Sequence, residues 1–207
     1  MAAEAALAAL CPRLRSAIEI IGPCRLKRGR GSPFESLLSA IAHQQVHGSA
    51  AAAILGRVRG LYGEGRFPTP AELLATPVAR LRAAGLSRAK VAAVRDVAAR
   101  TLDGTVPDRR AMLRLSNEEV IERLTQVHGV GRWTAEMLLM FTLNRPDVLP
   151  VGDFGIRYGF QLLYNKRREP KPQWLAGYGE RWAPYRTTAS WYLWRYVEYV
   201  RDRRKQG

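Results

Sequence analysis

Cysteine is scarce in this chain of 207 residues: Cys11 and Cys24 are the only two. Two thiols cannot supply the four ligands of a structural zinc site or an iron–sulfur cluster, and the three scattered histidines add no ligand-spaced set. No zinc and no cluster are therefore expected. So few thiols suit a reduced, cytoplasmic setting. Long apolar runs are lacking too, so no membrane partner is expected. The opening MAAEAALAALCPRLR has an early acid, Glu4, and no basic leading segment. It reads as the first helix of the fold and not as a signal peptide. Sustained period-two alternation is absent, which argues against any sheet. Acids are the minority charge, 18 against 33 Lys and Arg, for a formal net charge of +15. Such an excess suggests a polyanionic partner, with a solvated Arg-rich surface as the alternative. The cations cluster at Arg25, Lys27, Arg28 and Arg30, at Lys166, Arg167 and Arg168, and at Arg201, Arg203, Arg204 and Lys205. The last group reads as a frayed helix end.

What is present is helical pattern. Hydrophobic residues make up 47%, an ordinary share for a globular chain. Phe34, Leu37, Leu38 and Ile41 form an apolar stripe with Gln45 at its distal end. Gly48 breaks that helix, and Ser49 is a candidate cap for the next, through Ile54, Leu55, Val58 and Leu61. Thr69-Pro70-Ala71-Glu72 and Ser116-Asn117-Glu118-Glu119 are capping boxes. Thr76-Pro77 looks like a further cap followed by proline, and Ser87 opens a stripe through Val91, Val94 and Val97. Short helices joined by capped turns predict a compact all-α protein.

The segment Leu124 to Glu136 is the most informative. A helix ends near Val127, Gly129-Val130-Gly131 makes a tight turn, and a new helix starts at Arg132. Glycine tolerates positive φ and lets another backbone come close. Amides at the new helix N-terminus favour an anion such as a DNA phosphate. An ordinary turn between helices is the competing reading of this segment alone. Twenty residues after Trp133 stands Asp153, in LPVGDFGIRYG. By local sequence it is a helix N-cap, since aspartate is a preferred cap.

Taken together, HGVGRWTAEMLLMF, LPVGDFGIRYG, FESLLSAIAHQQVHGSAA and RWAPYRTTASWYLWR resemble the helix-hairpin-helix DNA glycosylase superfamily, and within it the alkylbase branch typified by 3-methyladenine DNA glycosylase II. The resemblance covers about residues 34–196. Some relatives carry an additional N-terminal β-rich domain, and this chain looks like the minimal form without it. The family fold implies two helical lobes with the active-site cleft between them. One lobe would span residues 33–143 and contain the hairpin (124–143); the other would combine 1–32 with 144–207 and carry the acid.

The resemblance implies that Asp153 is the catalytic carboxylate of a monofunctional glycosylase that flips alkylated purines out of duplex DNA. An N-alkylated purine already carries positive charge, so one acid suffices where ordinary glycosidases need two. Many relatives have a second acid just before the catalytic one, where this chain has Gly152; Asp147 is the nearest substitute and reads as a loop acid. Bifunctional relatives place a lysine at the position of Trp133, and tryptophan cannot form a Schiff base. Trp133, Phe154 and Trp194 are implied to line the base pocket; core packing is the alternative for each, and for Met137. Gln45 and His47 are candidates to fill the gap left by the flipped base. His47 could equally be a histidine answering a helix C-terminus. Gly129, Gly131, Arg132 and Thr134 would meet the DNA backbone. The family hairpin also holds a monovalent cation, here through the carbonyls of Thr125, Val127 and Val130. No other cofactor is expected, and a monomer acting on double-stranded DNA is the expected assembly. The alternatives are a glycosylase of this fold for oxidised or deaminated bases, or a non-catalytic DNA-damage-binding module, which Gly152 alone favours.

Overall fold

The computed structural model describes residues 2–26, 29, 31–63 and 65–206. Lys27, Arg28 and Arg30 of the first basic cluster lie outside the described residues. Thirteen helices are described: α1 (Ala2–Leu10), α2 (Pro12–Ile21), α3 (Pro33–His43), α4 (Gly48–Gly60), α5 (Pro70–Ala75), α6 (Val78–Ala83), α7 (Arg88–Leu102), α8 (Arg109–Met112), α9 (Asn117–Leu124), α10 (Arg132–Met137), α11 (Phe154–Leu163), α12 (Pro172–Gly179) and α13 (Arg186–Gln206). A π-helical turn, Leu138–Thr142, continues α10, and a 3-10 turn, Glu180–Trp182, follows α12. No strand forms among the described residues, and the protein is all-α.

The chain divides into two units, residues 1–28 with 144–207, and residues 29–143. In the second unit α7 is the central element: α3, α5 and α6 all pack on it. Val91, Val94, Val97 and Ala98 give α7 its buried face, and Leu37, Leu38 and Ile41 of α3 and Leu73 of α5 are buried in the same unit. In the first unit the core gathers Leu7, Leu14, Ile156, Phe160, Trp182, Tyr192 and Leu193. Each fully buried large apolar side chain contributes about 1.5–3 kcal/mol.

The helix starts follow the sequence signals closely, with two exceptions. Both capping boxes form, and Ser87 caps α7 by accepting the Lys90 N–H. Ser49 does not cap α4: the helix begins one residue earlier, with His47 at the cap position and no side-chain cap bond. The Ser49 hydroxyl pairs with His47 Nδ1 instead, at 3.0 Å. Thr76 ends α5 and does not open α6; its hydroxyl donates to the Glu72 carbonyl at 2.7 Å. Only Thr76 and Pro77 separate the two helices, so the hydroxyl serves the helix behind it. The basic tail is the end of a helix, as its sequence suggests. Arg201 to Lys205 are helical and exposed, and Arg203, Arg204 and Lys205 fill the last turn of α13, where cations oppose the negative end of the helix dipole.

In the first unit α11 packs closely on α13. A methyl at Gly159 would overlap the backbone of Leu193, carbonyl included, so only glycine fits there. By contrast, a methyl at Gly177 in α12 would meet nothing within 4 Å. Gly159→Ala should therefore destabilise by about 1–3 kcal/mol, the range for overpacking, while Gly177→Ala should be neutral or stabilise by up to about 1 kcal/mol. Thermal unfolding of the two variants checks the contrast; equal midpoints would mean that α11 and α13 do not pack as closely as described.

Candidate active site

In the unit of residues 29–143, α9 ends at Leu124 with Thr125 as its C-cap, and the turn closes as the Val130 N–H donates to the Val127 carbonyl at 3.0 Å. Val127 and Val130 are buried and tie the turn to the core. The two glycines differ. Gly129 has φ +79, and its Cβ, if present, would stand 3.1 Å from Ala93 Cβ. Gly131 is the N-cap of α10 with φ −93 and ψ 172, extended backbone that any residue adopts. A methyl there would meet nothing within 4 Å, so nothing in the protein demands a glycine. Its bareness leaves the head of α10 accessible to a group from outside.

One face of α7 holds this hairpin. Asp96 Oδ2 accepts the His128 N–H at 2.7 Å. Ala93 abuts Gly129, and Lys90 Nζ donates to the Ala42 carbonyl at 2.7 Å, next to the end of α3. Burial pulls the Lys90 ammonium below the usual lysine value. Gln44 Nε2 closes the ring by donating to the Gly129 carbonyl at 2.9 Å. Hairpin and α3–α4 connection are thus joined to each other and to α7. Gln44, Lys90 and Asp96 escaped the sequence reading, because their roles are contacts 85, 48 and 32 residues apart along the chain. The polar pair Gln44-Gln45 at the end of an apolar helix was the available signal.

The α3–α4 connection is exposed over Gln45, Val46 and His47. Gln45 takes φ +56, the left-handed region that costs a non-glycine residue about 1–3 kcal/mol. It lies beyond α3, which ends at His43. A recess of about 510 Å³ lies beside it, lined by Ala40, His43, Gln44, Gln45, Trp133, Thr134 and Met137. Trp133 is 48% exposed there, and Met137 lines the wall in place of the core position that α10 periodicity suggests. A second recess of about 620 Å³ shares Ala40, His43, Thr134 and Met137 and extends to Glu35, Ser36 and Phe141. The Arg132 guanidinium grips Glu118 at 2.6 and 3.1 Å and Glu136 at 3.3 Å, which cross-links α10 to α9. What Arg132 presents at the hairpin is its main chain.

The acid sits in the other unit. Asp153 is the N-cap of α11, so the local reading of it as a cap is correct as far as it goes. Its Oδ1 accepts the Ile156 N–H at 2.8 Å and the Trp194 indole N–H at 2.9 Å. Trp194, which the family resemblance implies as a pocket residue, is the side chain that orients the acid. Gly155 makes the approach possible: a methyl there would stand 2.9 Å from Trp194 Cδ1 and 3.1 Å from Asp153 Oδ1. Gly155 and Gly159, one turn apart, face α13 together, a spacing visible in the sequence and overlooked in it. Phe154 is 63% exposed and stacks on Tyr158 with centroids 5.6 Å apart. Gly152 has open space around it, and its packing would admit a side chain. Asp147 accepts two hydrogen bonds from the Arg186 guanidinium at 2.7 and 2.8 Å. Burial raises the Asp147 carboxyl, but Arg186 outweighs it and holds the group below its usual value. It anchors α13, in keeping with its reading as a loop acid. Among the described residues no group of His, Cys, Asp and Glu could hold a metal ion.

Residues 38–184 match the HhH-GPD superfamily of base excision DNA repair proteins. The chain is 40% identical over 195 residues to DNA-3-methyladenine glycosylase 1 of Schizosaccharomyces pombe, covering 93% of this chain and 86% of that protein. Among solved structures, the S. pombe 3-methyladenine DNA glycosylase in complex with abasic DNA superposes with a TM-score of 0.84 at 39% identity, over 94% of this chain and 96% of that one. A DNA-3-methyladenine glycosidase from Bacillus halodurans superposes at 0.83 with 38% identity, over 92% of this chain and 86% of that one.

Loss of the Asp96 acceptor in Asp96→Ala should free the His128 amide. Amide hydrogen exchange at residues 127–131 is expected to accelerate, with a stability loss of about 1–2 kcal/mol. Unchanged exchange there would mean that α7 does not hold the hairpin.

Proposed function

The chain belongs to the HhH-GPD superfamily of base excision DNA repair proteins, and we propose that it excises N-alkylated purines from duplex DNA by a hydrolysis carried by Asp153. It is a DNA glycosylase that hydrolyses N-glycosyl bonds, and alkylated bases are its substrates. The observation that carries the site assignment is the double hold on Asp153 Oδ1 by Ile156 and Trp194. A carboxylate fixed in this way is preorganised to face developing positive charge, the kind of electrostatic term that dominates many catalytic sites.

The chemistry follows from the substrate. In an N-alkylated purine the bond from C1′ to the ring nitrogen is already weakened by the positive charge on the base. As it breaks, the electron pair leaves with the base, which becomes neutral, and C1′ takes on oxocarbenium character. Asp153 stabilises that charge and accepts the proton of the water that adds to C1′. The product is an abasic site in an intact strand. Trp133 offers an indole face to a flipped, electron-poor base, worth about 0.5–2 kcal/mol as a cation–π contact. No amine stands at its position, so no Schiff base forms and the strand is not cut. Phe154, exposed next to the acid, flanks the reacting nucleotide.

Gln45, strained and exposed at its tip, fills the gap in the duplex, with His47 beside it. The main chain from Gly129 to Thr134 receives a phosphate. Thr125, Val127 and Val130 fall within six residues of one turn, and their carbonyls are hard oxygen donors suited to a monovalent cation, although the Val127 oxygen already accepts the Val130 N–H. Such a cation would supply positive charge between hairpin and phosphate. The protein acts as a monomer.

Duplex DNA carrying N-methylated purines tests the reading, with released base and strand breaks scored separately. Wild-type protein should release base without added magnesium and leave strands intact until heated in base. Asp153→Asn should lose about 100-fold or more in kcat. Trp194→Phe keeps the ring and removes the donor, and should lose about 10-fold in kcat with KM little changed. Trp133→Ala should lose about 2- to 30-fold in kcat/KM. Full activity in Asp153→Asn would overturn the assignment. Release of oxidised or deaminated bases alone would move the substrate class, and tight binding with no release from any lesion would leave a binding module.

A further inference from the structure

At the far end of α11 from Asp153, the first unit carries a second aromatic and basic feature. A recess of about 300 Å³ is lined by Phe160, Lys166, Arg167, Arg168, Pro170 and Trp174. We propose that it is a second nucleic-acid site, which takes an unpaired stretch of DNA strand, with a base stacked on Trp174 and the flanking phosphates on Lys166, Arg167 and Arg168. It relies on DNA being the partner, not on the hydrolytic role of Asp153. The ten residues of α11 place about 15 Å between its two ends.

Four observations converge on this recess. Trp174 is 50% exposed and lines the same recess as Lys166, Arg167 and Arg168. Its ring is braced from within: it stacks on Tyr178 with centroids 5.1 Å apart at 21°, and the Arg181 guanidinium sits 3.8 Å from the Tyr178 centroid. Phe160 meets Trp174 edge to face at 5.6 Å and forms the floor. The indole is therefore fixed before any ligand arrives.

The main chain that carries the cations is fixed as well. Asn165 adopts φ +51, its N–H donates to the Leu162 carbonyl, and the Lys166 N–H donates to the Gln161 carbonyl at 2.9 Å. This pair of bonds is a Schellman turn, which closes the C-terminus of α11 and sets the direction of the following residues. Gln161 Nε2 holds the Arg167 carbonyl at 3.3 Å. Among the described residues Lys166, Arg167 and Arg168 are exposed and enter no ion pair, while the nearest acid, Glu169, is engaged by Arg157 at 3.3 Å. Three consecutive cations without counter-charge, next to a braced and half-exposed indole, match the two needs of a single strand: charge along the backbone and a flat face for a base. A duplex keeps its base faces stacked inside and would use only the cations. An acidic peptide would leave the indole without a role.

Binding of a fluorescein-labelled single-stranded thymidylate 12-mer, followed by anisotropy across a salt series, tests the site. Trp174→Ala should weaken binding at least about 5-fold, and Trp174→Phe should restore most of it. The triple variant Lys166→Gln, Arg167→Gln, Arg168→Gln should flatten the slope of log K against log salt by about 2. Base release from methylated duplex DNA should persist in all three, and thermal unfolding confirms that each is folded. Wild-type binding and slope in both Trp174→Ala and the triple variant would overturn the proposal, as would polyglutamate displacing the oligonucleotide as well as unlabelled thymidylate does. A wild-type protein that binds the strand at this site yet releases no base would overturn the hydrolytic reading and leave this one standing.

Discussion

At the head of α11 one carboxylate oxygen accepts two donors, the Ile156 N–H and the indole N–H of Trp194. The first bond starts a helix and the second ties that helix to α13. The second needs the bareness of Gly155, because a methyl there would stand 2.9 Å from the indole Cδ1. The acid is a structural cap held by a second donor, and in the proposed reaction that orientation would cost no rearrangement as charge develops on the substrate. The close packing of α11 on α13 through Gly159 supplies the rigidity that such an arrangement needs.

The second unit solves a different problem, that of presenting strained and exposed backbone without letting it wander. Gln45 in its left-handed conformation and the Gly129 turn would each be free to relax on a mobile loop. The end of α3 before Gln45 and the Gly129 turn instead meet α7, where Lys90 donates to the Ala42 carbonyl, Ala93 abuts Gly129 and Asp96 accepts the His128 N–H. The buried valines at 91, 94 and 97 anchor α7 itself. A core helix therefore carries its apolar stripe inward and sets the register of two surface features with its polar edge.

Charge is distributed with similar economy. The +15 excess divides among residues with different partners. Arg132 and Arg186 are internal cross-links to acids, Arg203, Arg204 and Lys205 answer a helix end, and Lys166 to Arg168 stand without acidic partners on a fixed turn among the described residues. Net charge announces a polyanion, but only the pairing of each cation separates those that can meet it from those that hold the protein together.

Periodicity and capping chemistry alone determined the all-α class, both capping boxes, the start of α7 and the position of the hairpin, because these depend on residues within four or five positions of one another. The family motif singled out Asp153, Trp133 and Trp194 as site candidates in the same way, by linear pattern. Local pattern failed at Thr76, which serves the helix before it, and at Ser49, which lies inside α4 because that helix starts at Gly48. What only the tertiary structure decided were the partnerships across long stretches of chain: Trp194 with Asp153 at a separation of 41 residues, and Gln44 with Gly129 at 85. It also decided that the Arg132 side chain is occupied by Glu118 and Glu136. These partnerships depend on where helices cross, and crossing is set by packing of side chains from distant segments, which no window along the sequence contains.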